Sequence, residues 1–403
     1  MDISDVCQHY FGKPGRIVAL TFSIFSLTGS SIVIHVLLSN FLYHTGEFIH
    51  HAANGESHPV PQIHGNVNNL TDVRCPVYAN ASSEPHESYS DLYHKLWIKD
   101  RTVPVWVLII LIPLISIKSP TCLGKFCTLG TLSVIYLFIL LIVKASHWGV
   151  NMRHPPLVEP VHYFSGHFPA LTGTCSLGFY VHNGLQTVLR TQKHPENNVR
   201  DTVLAFAAVT LTYILVGAIF FFAFPISKMC ICDNFLDNMV NDIPVFIGRM
   251  ALFFQMAMIY PLCVYILRSQ LMLALFGNVF PSWYAVTILY TIIIGLGLIF
   301  SMLYPSIGTI IRFIGATCGM FYVFALPPIV TLLNKWYLGH KATPSIENNF
   351  EMDQDIPLLT ESTTSWVDEK RKTMWYIRSF FYSFIILFGV LNLIAQFLLL
   401  KMD

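Results

Sequence analysis

Thr202–Phe224 reads TVLAFAAVTLTYILVGAIFFFAF, twenty-three residues without a charged side chain. As a helix rising 1.5 Å per residue this run is about 34 Å long, enough to cross a hydrocarbon core of about 30 Å. The composition agrees. Of 403 residues 54% are apolar and only 12% charged, where a soluble domain carries about a quarter. Formal net charge is +1, so neither a basic nucleic-acid face nor an acidic tail is present. The first sixteen residues are polar and end in Lys13, Pro14 and Arg16. The apolar run behind them is too long for a signal peptide and is expected to stay as a membrane helix.

Eight further runs follow the same logic. The nine expected segments are Ile17–Tyr43, Val103–Ile117, Phe126–Ser146, Phe168–Leu189, Thr202–Phe224, Pro244–Leu267, Ser282–Tyr304, Ile307–Leu333 and Met374–Leu400. An open sheet edge cannot sit in hydrocarbon, and the runs lack the alternation of a barrel strand, so the fold class is an all-α polytopic membrane protein. If the helices alternate, Lys13, Arg16, Lys118, Lys125, Arg190, Lys193, Arg200, Arg268 and the cations between the last two helices share one face, which is then cytosolic. The expected layout is a cytosolic N-terminus over 1–16, helices 1–8 over 17–333 with a long lumenal loop at 46–102, a cytosolic loop at 334–373, and a last helix with a lumenal end over 374–403.

The long loop carries two glycosylation acceptors, at Asn69 and Asn80. Cys75 lies between them, while Cys230 and Cys232 follow the fifth helix on the same face. An oxidising compartment permits a bridge, expected from Cys75 to Cys230 with Cys232 as the other candidate partner, against the alternative of three unpaired thiols. The other cysteines are scattered and suit core packing.

Transport sites form where helices break near mid-membrane and free backbone groups for a ligand. Pro169–Gly184 fits best: Gly173, Gly178 and Gly184 weaken the helix, while Thr172, Thr174, Ser176, His182 and Asn183 bring polar groups to bilayer depth. The competing reading is structural, with glycines for close packing and hydroxyls bonded back to the i−4 carbonyl. Ser26–Ser31, Gly295 with Gly297, and Gly308–Gly319 around Arg312 show weaker versions, for which packing is the simpler account.

The sixteen histidines cluster near the loops without HExxH or paired-cysteine company, so no metal site is expected. No nucleophile elbow, Walker loop or dinucleotide fingerprint is present, and no enzyme is expected. In the last cytosolic loop, Asp355 precedes Leu358 and Leu359, a pattern that resembles a dileucine sorting signal for endosomes and lysosomes.

Six runs are distinctive: DVCQHYFG (Asp5–Gly12), RTVP (Arg101–Pro104), ENNVRD (Glu196–Asp201), NFLDN (Asn234–Asn238), QMAMIYPL (Gln255–Leu262) and NLIAQF (Asn392–Phe397). Together they resemble the solute carrier 38 family of sodium-coupled neutral amino acid transporters, within the amino acid/polyamine transporter group. The resemblance covers essentially the whole chain. It implies a LeuT-like inverted-repeat fold, a lysosomal or late endosomal membrane, and arginine-sensitive efflux of neutral and essential amino acids of the leucine and glutamine class. It also implies signalling to the Rag–Ragulator and TOR complex 1 machinery, a glycosylated lumenal loop, and a disulfide from that loop to the one holding Cys230. His182 and Asn183 match the family's broken helix, and Gly184 stands where the family has a cysteine. The substrate-binding set expected from this is Thr174, Ser176, His182, Asn183 and Gly184.

The sequence departs from the family at two places. Met258 stands where the sodium-binding helix has a threonine, and a thioether is a poor ligand for a hard cation, so no cofactor ion is carried over to it. The chain also starts where the family's third helix begins. The first two helices and the N-terminal segment that engages the Rag machinery are therefore expected to be absent, and the first repeat incomplete. The alternative function on that expectation is a transport-inactive membrane protein acting as a regulatory partner. With the lumenal assignment, Asn69→Gln and Asn80→Gln should each remove one glycan-sized mobility shift on glycosidase digestion; shifts unchanged by both substitutions refute the topology.

Overall fold

Apolar side chains face outward along most of the length of this molecule. In the computed structural model, residues 3–55, 73–75, 92–116, 120–152, 166, 168–182, 185, 189, 192, 194–334 and 361–399 are described. They form ten α-helices: α1 Ile3–Asn54, α2 Leu92–Leu96, α3 Val103–Ile115, α4 Pro120–Trp148, α5 Phe168–Gly178, α6 Asn198–Ala223, α7 Ile243–Phe276, α8 Trp283–Leu303, α9 Ile307–Gly319 and α10 Glu361–Leu399. A π-helical turn, Met320–Ala325, follows α9, and helix resumes to Asn334. Among the described residues no strand forms beyond one isolated antiparallel bridge, Val73 to Met239.

Seven helical runs among the described residues are long and apolar enough to span a bilayer, and α3 is a shorter apolar helix. On α6, Val203, Leu204, Leu211 and Ile214 are each about 60% exposed. Water would not tolerate that much open apolar surface on one helix, whereas lipid matches it. Helix α10 is inverted in the same sense. Phe380, Phe384, Leu387, Leu391 and Ile394 face out, while Asn392 and Gln396 are buried. The chain is a multi-pass membrane protein.

Helix ends depart from the hydropathy runs at five helices, one of them α7, which continues to Phe276 where Leu267 was the expected end. The first helix, expected over 17–43, runs from Ile3 to Asn54 and is kinked at Gly12, whose φ of 69° suits glycine alone. It continues past Tyr43 because its polar residues find partners: His44 meets Glu47 at 3.0 Å, and Gly46 leaves room for the Trp97 ring. The stretch from 46 to 54, expected as the start of a loop, is helix. Helix α4 begins at Pro120, six residues before Phe126. Helix α5 ends at Gly178 instead of Leu189. Helix α10 starts at Glu361, inside the expected 334–373 loop, since Glu, Lys and Arg are good helix formers and carry it beyond the apolar stretch.

The chain divides into two compact units. The first comprises Met1–Ser26, Gly166–Val188 and Ile311–Asp403. Here Gly173 of α5 lies against the Arg312 carbonyl, Gly315 against the Gly173 carbonyl and Gly319 against Ser176, so an added Cβ at any of the three would collide. Helices α5 and α10 are joined by polar groups: Thr172 Oγ1 donates to Asn392, and Gln396 Nε2 donates to the Pro169 carbonyl. In lipid such bonds replace water.

The second unit comprises Leu27–Ser165 and Leu189–Ile310. The C-terminal ends of α1, α4, α6 and α8 gather at one end of it with the N-terminal ends of α3, α7 and α9, the geometry that alternating crossings produce. Lys144 bonds Asp242 at 2.6 Å, Asn151 donates to the Ala223 carbonyl, Asn241 donates to the His44 carbonyl, and Asp233 accepts from the Gly308 amide at the start of α9. Cys75 and Cys230 are disulfide-bonded there, leaving Cys232 as a free thiol. Asn238 holds this region, donating to the Cys230 and Arg74 carbonyls and accepting from the Cys232 amide. Burial first, then the Asp237 and Asp233 carboxylates, push the Cys232 thiol up, so it stays protonated and is a poor nucleophile toward the neighbouring bridge.

The side chain of Arg249, 1% exposed, sits beneath this end. It donates to the Leu236 carbonyl at 2.7 Å and to Asn241 Oδ1 at 2.8 Å, and lies 3.8 Å from Asp237. Removing one partner of a buried charge pair costs about 3–5 kcal/mol. Arg249→Ala should therefore lose the monodisperse peak in size-exclusion chromatography, or melt far below the parent. A melt equal to the parent's would deny Arg249 this role.

Candidate functional site

The end of α5 is where the first unit departs from regular helix. Gly178 ends α5, Phe179 is a turn, and Tyr180 and Val181 are non-helical before helical geometry returns at His182. The sequence explains the break locally: Gly173 and Gly178 weaken α5, and the glycine contacts with α9 clamp it up to Ser176. Beyond the break, Tyr180 and His182 turn toward Tyr322 in the π turn. Ring centroids are 5.4 Å apart for Tyr180–Tyr322, 5.5 Å for Tyr180–His182 and 6.1 Å for His182–Tyr322.

Tyr322 is anchored from the other side, its hydroxyl donating to the Ala19 carbonyl at 2.7 Å. Phe22 stacks on Phe321 at 4.6 Å, and Ser26 sits beside Tyr180 and Cys318. The apolar surround is Cys7, Ala19 and Leu326 with Ile3 and Val330. Within it three buried polar atoms make no well-formed hydrogen bond among the described residues, Ser26 Oγ, Tyr180 OH and His182 Nδ1, the two hydroxyls lying within reach of each other. Such atoms are costly to leave unsatisfied. A π turn in a helix frequently marks a functional position. The unsatisfied groups are two hydroxyls and an imidazole, a set suited to hydrogen-bonding a small polar solute.

The expected site residues are distributed unevenly. His182 is in this cluster. The Thr174 and Ser176 hydroxyls donate to the Ala170 and Thr172 carbonyls four residues back, which leaves their lone pairs as acceptors. Met258 is half-buried on α7, in the second unit. Asn183, Gly184, Asn69, Asn80, Asp355, Leu358 and Leu359 lie outside the described residues. Among the described residues no three His, Cys, Asp or Glu side chains converge as metal ligands.

Sequence reasoning missed Tyr180 and Tyr322, and treated Ser26 as packing. Tyr180 stood inside the segment already singled out and could have been weighed. Tyr322 had no local signal, because a π turn leaves no mark on hydropathy.

Residues 2–346 match the family described as transmembrane amino acid transporter protein. A Caenorhabditis elegans sodium-coupled neutral amino acid transporter 9 homolog is 38% identical over 349 residues, covering 82% of this chain and 57% of the relative. Neutral amino acid transporter 9 of Xenopus tropicalis is 40% identical over 362 residues, covering 86% of this chain and 65% of the relative. That of Danio rerio is 35% identical over 412 residues, covering 98% and 68%. The chain thus spans less than two thirds of the first two relatives.

Tyr322→Phe deletes only the buried hydroxyl that reaches Ala19. A buried hydrogen bond is worth about 1 kcal/mol net, so the melting temperature should fall by a few degrees with expression retained. An unchanged melt would show that this bond does not hold the π turn.

Proposed function

This chain belongs to the transmembrane amino acid transporter family, and we propose that it carries amino acids across a membrane through the break between α5 and the π turn. The observation that carries this reading is the cluster of Ser26 Oγ, Tyr180 OH and His182 Nδ1, buried and without a well-formed hydrogen bond among the described residues where a helix is interrupted. An interrupted helix offers free backbone groups, and the side chains nearby supply neutral donors and acceptors. That chemistry suits the neutral amino acids in the names of the relatives. His182, with Asn183 and Gly184 beyond it, is the ligand-contacting stretch, on an inverted-repeat scaffold.

The finer assignment is efflux of neutral and essential amino acids from lysosomes or late endosomes, tuned by arginine and feeding TOR complex 1 signalling through Rag–Ragulator. Its supports are the family resemblance, the two sequons, the sorting-like Asp355–Leu359 stretch, and a disulfide joining two loops at one end of the second unit. Sodium is named for the nematode relative; here Met258 makes a poor sodium ligand, so coupling at that position is not part of the proposal.

Proteoliposomes loaded with labelled leucine, glutamine or arginine provide the test. Saturable flux is expected, with His182→Ala lowering it at least about tenfold, a loss of about 1.4 kcal/mol of binding, at equal expression and melting temperature. No flux, or flux indifferent to His182→Ala, refutes the assignment.

A further inference from the structure

We propose that a polar cavity in the second unit, distant in sequence from the α5 break, binds a small organic cation with an ammonium head and a short apolar stem. The cavity, of about 340 Å³, lies between the C-terminal part of α1, the end of α8, the start of α9 and the 232–237 loop. It has room for roughly ten waters or for one small solute.

Ser301 marks the floor. It lines the cavity, is 3% exposed, and its Oγ has no hydrogen-bond partner among the described residues. Earlier on the same helix, Thr287 and Thr291 both donate to carbonyls four residues back. Ser301 departs from that habit, and an unsatisfied buried hydroxyl is costly, so an occupant of the cavity is its natural partner.

The walls decide the sign of the charge. Asp100, Asp233 and Asp237 line the cavity with Lys99 as their counter-charge. Asp237 is occupied, accepting from Asn40 and Asn234 with Arg249 behind it. One oxygen of Asp233 accepts from the Gly308 amide, leaving the other with capacity to spare. The Lys99 ammonium sits 5.9 Å over the Tyr43 ring, so a cation–π contact draws on its charge. The spare capacity is therefore mostly acceptor: Asp100, one oxygen of Asp233 and the Ser301 hydroxyl. An ammonium has three donors and no acceptor, which matches that set. The carboxylates do not converge as metal ligands, and Val36 and Ile307 supply an apolar surface for a stem.

The test is isothermal titration of the full chain in detergent with n-butylammonium, and with n-butyrate as the control of equal length and opposite charge. Saturable butylammonium binding is expected. Ser301→Ala and Asp100→Asn should each weaken it at least about fivefold, roughly 1 kcal/mol, with butyrate giving no saturable heat. Asp100 is exposed, so its variant keeps the fold if Ser301→Ala does not. Absence of saturable binding, equal binding of butyrate, or binding that Asp100→Asn leaves unchanged overturns the proposal. Because the readout is equilibrium binding, failure of the transport assignment does not affect this result.

Discussion

A guanidinium cannot be left bare in a protein interior surrounded by lipid. Arg249 therefore imposes its requirements on everything near it. It sits two turns into α7 and draws in the Leu236 carbonyl, the Asn241 amide and the Asp237 carboxylate. Asp237 in turn orders Asn40 and Asn234. Through these, α1 and the 230–242 segment are fixed to the start of α7, and Asn238 secures the strand-like contact with Val73 and the Cys75–Cys230 bridge. The polar network is high-stakes by nature: satisfied, it specifies one arrangement; missing a member, it leaves a charge with no solvent to receive it.

The first unit solves the opposite problem. Its helices pack by removing atoms instead of pairing charges. Gly173, Gly315 and Gly319 let α5 and α9 approach backbone to backbone, and Thr174 and Ser176 dispose of their hydroxyls on their own helix. The two readings of the Pro169–Gly184 stretch thus divide it along its length. Up to Ser176 the glycines allow close approach and the hydroxyls bond back along their own helix. Beyond the break, Tyr180 and His182 face Tyr322.

The class of fold was legible in the sequence because lipid imposes one simple rule, a run of about twenty apolar residues, and each such run was visible. Helix limits were less so. The rule reports where lipid begins, whereas α1 and α10 continue as long as polar residues such as His44, Glu47 and Glu361 find partners or favour helix. The candidate site was half legible: Gly178 and His182 advertise a broken helix, but Tyr322 is brought there by tertiary packing from 140 residues away. Arg249 stands as a charge inside an apolar run, yet only the fold reveals its partners, which lie in the 236–241 loop before it.

The Met320–Ala325 turn has a further consequence for how such a chain tolerates changes in length. A π turn stores one residue more than the α-helix around it. Deleting a single residue there would let the helix close into ordinary α geometry while Leu326 and all that follows keep their faces relative to α9, because the turn already absorbs the extra residue. Only the rings inside the turn would change register, and Tyr322 would leave the Ala19 carbonyl, although composition and hydropathy would barely change. Single-residue changes of length are thus absorbed at this spot, and two relatives alike in every apolar run could differ here in which ring faces Tyr180.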